Sequence, residues 1–394
     1  MAVSKTTLTN TGANSERSIA QTHNPALQRV AYLTDLMPSG KFGSLEEQIF
    51  NIARAFKDRG GLFLAVFGGP VVEEVRERYS NAGLKVEGLN LHNFSKENLG
   101  KLLELLREYK ITAIHWNFYS PINRYVWILT LLKPGLRHYI TDHTSRILPL
   151  PEPTGGLKRI TKKLLFKRYR KVWCISEFVV DCLEHSGTWS NVERCTYFIN
   201  TDRFKPDAEV REKVRARLNA GDKFILLFVA NVIPVKGGDV LIRALADLPD
   251  NVQLWVVGDG TDLPRLKAMT ADLQLGNKVV FLGNQNYVEP YMQGADCFVC
   301  PSLWGEATGL VNLEAQASAL PVVASAIGGI PEFVLNEQTG LLFPPGDSRQ
   351  LAAQINRLLT DNDLYRRLSK FARVSAVDRF SIERRLEDYV RAYQ

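Results

Sequence analysis

The chain is 394 residues long, 45% hydrophobic and 23% charged, a globular balance that fits two domains of ordinary size more easily than one. No apolar run reaches the roughly 18 residues that span a bilayer. Its five cysteines, an odd number, argue against a disulfide framework and for a reducing cytoplasm.

Residues 1–27 are rich in Ser, Thr, Asn and Ala and read as a disordered lead, without the apolar core of a secretory signal. Structure begins with a strand at Val30-Ala31-Tyr32-Leu33. A Gly-containing loop, 38–44, follows. Leu45, Ile49, Ile52, Ala53 and Phe56 then recur at helical spacing. The beat continues with strands at 62–67, 85–91, 111–115 and 137–142 and helices at 71–82, 96–109 and 122–132. Segment 156–173 holds eight basic residues and no acid, with Leu157, Ile160, Leu164, Leu165 and Tyr169 along one stripe. It reads as a basic amphipathic helix, the pattern of a membrane-surface segment.

The alternation restarts after a polar stretch near 200–207. Strands are predicted at 224–229, 252–257, 279–282, 295–301 and 321–324. Helices are predicted at 238–248, 263–273, 310–319 and 347–359, and a last one starts at Ser381. Strands alternating with helices imply parallel sheets covered on both faces. Two doubly wound units result, spanning 28–204 and 205–376, with 377–394 as a terminal helix. The charge divides with them. Residues 1–205 carry 29 Lys and Arg against 19 Asp and Glu, and the remainder 20 against 23.

Two such domains leave a cleft outside the carboxyl ends of their sheets, where ligands bind in open α/β folds. The run Pro301-Ser302-Leu303-Trp304-Gly305-Glu306-Ala307-Thr308-Gly309-Leu310-Val311-Asn312-Leu313-Glu314 fits there. Glu306 precedes a helix start at Gly309, Leu310 and Val311, and Glu314 lies inside the helix. Two carboxylates thus flank a helix N-terminus suited to phosphate. Lys236 and two glycines follow the strand at 224–229. Gly258 ends the strand at 252–257, and Gly328-Gly329-Ile330-Pro331-Glu332 follows the strand at 321–324. Each signal is weak alone; together, within one domain, they point to a nucleoside diphosphate sugar.

With its flanks, the Pro301–Ser325 run resembles the donor-binding half of the retaining family 4 glycosyltransferases, with a Glu-x7-Glu motif and the GT-B fold. The resemblance covers roughly 29–394. It implies that Glu306 contacts the transferred sugar and Glu314 the ribose, and that Gly309, Leu310 and Val311 hold the diphosphate with Lys236. It also implies that the last helix crosses back onto the first domain. One position departs: the family usually has Arg where this chain has Asn231, and an amide does not replace a bidentate guanidinium on phosphate.

The first domain supplies a facing side. His143, in Thr141-Asp142-His143-Thr144, ends a strand, and the resemblance places such a histidine beside the donor sugar. Gly43 matches the family's first glycine loop in part. His115 and Asn117, in Ile114-His115-Trp116-Asn117-Phe118-Tyr119, are assigned to the acceptor side, with packing as an equal reading of the aromatics. Lys158, Arg159, Lys162, Lys163, Lys167 and Arg168 form the membrane side.

The expected reaction is retaining, metal-independent transfer from a UDP- or GDP-sugar to a saccharide or lipid-linked acceptor, in polysaccharide or glycolipid biosynthesis. No cofactor, metal or nucleic acid is expected. The expected location is the cytoplasm, with peripheral contact at the inner face of an anionic membrane. The alternative is a silent nucleotide-sugar-binding scaffold, which Asn231 keeps open. A dinucleotide-linked dehydrogenase is disfavoured, since neither domain shows G-x-G-x-x-G after its first strand. Asp361-Asn362-Asp363 reads as a cap and turn, and Cys297-Phe298-Val299-Cys300 as a core strand.

Overall fold

A computed structural model describes residues 28–37, 42–150, 156–187 and 191–393. The lead, 1–27, and part of the first glycine loop lie outside that set, as do the side chains of Lys158 and Arg159. The described residues form two sheets in which every strand pairing is parallel. The first holds β1 (Arg29–Thr34), β2 (Leu62–Phe67), β3 (Lys85–Gly88), β4 (Ala113–Asn117), β5 (Arg137–Asp142), β6 (Tyr169–Cys174) and β7 (Val192–Arg194), in the order β3-β2-β1-β4-β5-β6-β7. The second holds β8 (Phe224–Val229), β9 (Val252–Val257), β10 (Val279–Gly283), β11 (Cys297–Cys300), β12 (Val322–Ser325) and β13 (Gly340–Phe343), in the order β10-β9-β8-β11-β12-β13.

Both orders reverse beside the first strand of their sheet, between β1 and β4 and between β8 and β11. That reversal opens a crevice at the carboxyl ends. Helices cover both faces, so central strands such as Phe224–Val229 are continuous apolar runs. Side-chain caps fix the helix starts. Asn123 accepts from the Val126 N–H, Asp207 from Val210 and Asp361 from Leu364. Asp361 thus caps the helix Asn362–Phe380, as the acidic triplet predicts.

One predicted element is corrected. The segment 156–173 is not a single helix. It divides into a helix, Gly156–Phe166, and β6, with Lys167 and Arg168 in the turn between. Tyr169, Val172, Trp173 and Cys174 are buried in the core, and β6 is zipped between β5 and β7. Aromatic and β-branched residues filling a pleated, buried slot outweigh the helical spacing of the basic residues. Cys297 and Cys300 are free thiols in buried β11. They pack into clusters on opposite faces of the second sheet, as residues three apart on a strand must.

The chain passes from the second core to the first at Ser381. Leu364, Leu368, Ala376 and Phe380 of the Asn362–Phe380 helix pack into the second domain. The next helix, Ile382–Arg391, puts Tyr389, Val390 and the following Tyr393 into the first, beside Val30, Phe56 and Phe63. No described helix is long and apolar enough to cross a membrane.

Candidate active site

Between the domains lies a cleft of about 750 Å³, lined from both sides by residues that end strands at the two reversals. Every residue proposed from sequence as catalytic or donor-binding lines it: Gly43, His143, Asn231, Lys236, Gly258, Glu306, Gly309, Leu310, Val311 and Glu314.

Lys236 and Glu306 meet at its floor. The Lys236 ammonium donates to Glu306 Oε1 at 2.5 Å, and Ser302 Oγ donates to the same oxygen at 2.8 Å. The ammonium also lies 5.1 Å from the centroid of the Trp304 ring. The backbone explains the approach. Gly237 has φ +69°, and a Cβ there would stand 1.9 Å from the Pro301 carbonyl oxygen. Only glycine lets the Lys236 turn lie flat on the loop that carries Glu306.

Gly309, at φ +68°, ends that loop and starts the helix Leu310–Ala317. With no capping side chain, the first-turn N–H groups face the cleft with the positive end of the helix dipole. Glu314, one turn further on, is 9% exposed. Ser44 Oγ, on the first helix of the other domain (Ser44–Asp58), donates to its Oε1 at 2.5 Å.

His143 faces this set from the first domain. Its ring is held between Phe118, at 4.2 Å between centroids, and Tyr197, at 5.4 Å. Asn117 Oδ1 can only accept, so Nε2 carries the proton and donates to it; Nδ1 then accepts from the Tyr197 hydroxyl. Burial pushes the His143 pKa down to about 3. The imidazole is therefore neutral at physiological pH, with both nitrogens engaged. Phe118 is held at φ +63°, an unusual conformation for a bulky residue. Asp142 shapes the same corner by accepting from the Thr144 N–H at 2.8 Å and from Arg146 at 3.0 Å.

The acceptor-side assignment of His115 is corrected. Its side chain is fully buried, not in the cleft. Nε2 bonds Thr141 Oγ1 at 2.7 Å and Nδ1 bonds the Tyr393 hydroxyl at 2.6 Å, so it anchors the end of the chain. Asn117 is also buried, and its contribution is to hold His143. Of the membrane-side set, Lys163, Lys167 and Arg168 are exposed and Lys162 half-buried, away from the cleft lining.

Sequence reasoning missed Ser44, Tyr197, Arg203 and Ser302. Ser302 lies inside the quoted motif and Ser44 beside Gly43, so position alone could have flagged them. Tyr197 and Arg203 lie in stretches without a periodic signal. Arg203 is a second cation in the lining, but Glu47, at 3.3 Å, and Glu289 both take its guanidinium. It is not a spare replacement for an arginine at Asn231, whose side chain is exposed in the cleft. Among the described residues no group of His, Cys, Asp and Glu is placed to hold a metal ion.

A family model described as "Glycosyl transferases group 1" matches residues 210–375. The Rhizobium meliloti lipopolysaccharide core biosynthesis glycosyltransferase LpsE is 32% identical over 263 residues, covering 66% of this chain and 75% of that protein. The chain belongs to the group 1 glycosyl transferases, and is family 4-like. Similar too is a GDP-mannose-dependent alpha-(1-6)-phosphatidylinositol monomannoside mannosyltransferase of Mycolicibacterium smegmatis, 36% identical over 175 residues, which are 41% of this chain and 46% of that one. The chain thus spans about half the length of that relative. Among solved structures, Anabaena HepE in complex with UDP and glucose superposes with a TM-score of 0.77 at 22% identity, over 93% of this chain and 99% of its own. The glycosyltransferase WaaG superposes with a TM-score of 0.68 at 21% identity, over 93% and 99%. At those identities the likeness establishes the fold: two parallel-sheet α/β domains about a cleft, the GT-B arrangement.

Proposed function

We propose that this group 1 glycosyl transferase moves a sugar, with retention at the anomeric carbon, from a UDP- or GDP-sugar to a saccharide or lipid-linked acceptor in glycolipid or polysaccharide biosynthesis. The observation that carries the reading is the convergence of Lys236, Glu306, the open N-terminus at Gly309 and Glu314 on one cleft, opposite His143. The diphosphate sits over the first-turn amides of the Leu310–Ala317 helix, with Lys236 as its cation. Glu314 accepts from the ribose hydroxyls, displacing the Ser44 hydroxyl, and Glu306 accepts from the sugar through Oε2.

Neutral His143 takes no proton in this scheme. Its fixed ring borders the reacting centre and excludes water. The leaving phosphate accepts the acceptor's proton on the face from which it departs, so no protein nucleophile is needed. The relatives supply the donor choices: LpsE acts in lipopolysaccharide core biosynthesis, the mycobacterial enzyme is GDP-mannose-dependent, and HepE holds UDP and glucose. Thermal shifts with UDP-, GDP- and ADP-sugars separate the bases by mass action. Transfer assays of Glu306→Gln and His143→Ala then test the chemistry, and wild-type rates in both would sink the assignment.

The helix Gly156–Phe166 is proposed to rest on an anionic membrane. Ile160 and Leu164 are 58% and 53% exposed, and the cations Lys163, Lys167 and Arg168 lie nearby in sequence. Each basic residue near anionic lipid contributes about 1 kcal/mol. Flotation with phosphatidylglycerol vesicles should carry the protein upward. Neutralising Lys163, Lys167 and Arg168 should abolish this, and unchanged flotation refutes the contact.

A further inference from the structure

A cavity of about 440 Å³ shares no lining residue with the cleft. It lies where the chain crosses between domains, walled by β6, β7 and the last helix. Its lining carries five cations, Lys171, Arg194, Arg379, Arg385 and Arg391, against the two carboxylates of Glu193 and Asp388. Glu193 pairs with Lys171 at 2.7 Å and Asp388 with Arg385 at 3.3 Å, while Glu332 takes Arg194 at 3.0 Å.

Two guanidiniums are left over. Arg379 donates to neutral oxygens, the Glu332 carbonyl at 3.2 Å and Ser375 Oγ at 3.4 Å. Arg391 is exposed and forms no ion pair among the described residues. Burial, and then the neighbouring charges of Arg194 and Arg385, push the Arg379 pKa down, and among the described residues no carboxylate pairs with it. A guanidinium presents a donor fork matched to phosphate.

We propose that this cavity is a second, non-catalytic site for a phosphate-bearing ligand, held by Arg379 and Arg391 with Arg194 as a further donor. Arg194 belongs to the first sheet, Arg379 to the long helix of the second domain and Arg391 to the last helix. One bound phosphate therefore ties three pieces of chain across the domain crossing. Its binding braces the crossing that joins the cleft's two walls. The site does not depend on the transferase reading.

The test is thermal unfolding and calorimetric titration of the full chain with inorganic phosphate and with glucose 6-phosphate. Ionic strength is matched with chloride, because screening alone alters charged surfaces. Phosphate also has a destination at Lys236, so each titration is repeated in Lys236→Ala. Both phosphates should raise the unfolding temperature in wild type and in Lys236→Ala. Arg379→Gln and Arg391→Gln should each weaken that binding about tenfold or more, the cost of a lost charge-assisted hydrogen bond. Arg391→Gln guards against misfolding, since that side chain supports nothing. A shift that vanishes in Lys236→Ala but survives both arginine variants, or one that chloride reproduces, overturns the proposal. Phosphatidic acid vesicles, tested with Lys163, Lys167 and Arg168 neutralised so that the Gly156–Phe166 helix does not carry the binding, distinguish the source. Binding lost in Arg391→Gln assigns the phosphate to a lipid headgroup, and a response to the soluble phosphates alone assigns it to a free metabolite.

Discussion

Both bonds that the Glu306 carboxylate receives among the described residues end on Oε1, from Lys236 and from Ser302. The second oxygen is thereby left for a ligand, and in the proposed reaction the ammonium stands beside the leaving phosphate. Removing that cation with Lys236→Ala should lower kcat by about a hundredfold or more, the scale of one lost group that stabilises developing charge. Donor affinity should fall with it, and steady-state kinetics with the donor found by thermal shift reads both. His143 makes a different prediction. A ring with pKa about 3, bonded at both nitrogens, does not titrate in the working range. The pH–rate profile should show no step near 6.5 assignable to it. A step near 6.5 that disappears in His143→Gln would show that the ring does titrate, against the neutral role given to it.

At the level of elements, much was legible because parallel sheets write themselves plainly. Phe224–Val229 is an unbroken apolar run and Val252–Val257 is interrupted only by Gln253, and the structure places both strands at those residues. Leu310–Ala317 was visible from the glycine before it and the apolar run within it. β6 was hidden because its first residues, Tyr169, Arg170 and Lys171, continue the basic run of the preceding helix. Its burial depends on β5 and β7, which local pattern does not encode. His115 was misplaced for a related reason. A polar residue near a strand's end looks like a site residue until Tyr393, 278 positions away, is seen to bond it. The glycine loops that line the cleft were legible through glycine, and Gly237 tests whether geometry is the reason. Gly237→Ala must move the Lys236 turn off the Pro301 carbonyl. Left-handed backbone alone costs an alanine about 1–2 kcal/mol, so chemical denaturation should show at least that loss. Turnover should fall further than stability does, because the Lys236 ammonium moves with the turn. Wild-type turnover in this variant would separate Lys236 from the chemistry.

Across the whole molecule the two domains are fastened at several points around the cleft. Arg146 and Gly305 exchange backbone hydrogen bonds at 2.8 Å each way. Glu332 of the second domain accepts the Glu177 and Phe178 N–H groups, at 2.8 Å each, where a first-domain helix begins. The titratable burden is nevertheless one-sided, since all six histidines lie before residue 186. Three of them, His115, His138 and His143, are held neutral in the first domain. Burial lowers His138 to about 4, His143 to about 3 and His115 well below its ordinary value. In the unfolded chain each takes a proton near pH 6.5. Below that pH the unfolded state binds more protons than the folded one, so stability is full above about 6.5 and is lost as pH falls toward the folded values. Each histidine contributes a slope of at most about 1.4 kcal/mol per pH unit. Hydrogen exchange at pH 7 and pH 5, corrected for the intrinsic rate, should therefore show amides of β4 and β5 losing protection while β8 and β9 keep theirs. His138→Gln should flatten that dependence, because it removes a buried base whose Nε2 has no partner. Equal loss of protection in both sheets would mean that acid acts through the domain contacts instead of through the buried imidazoles.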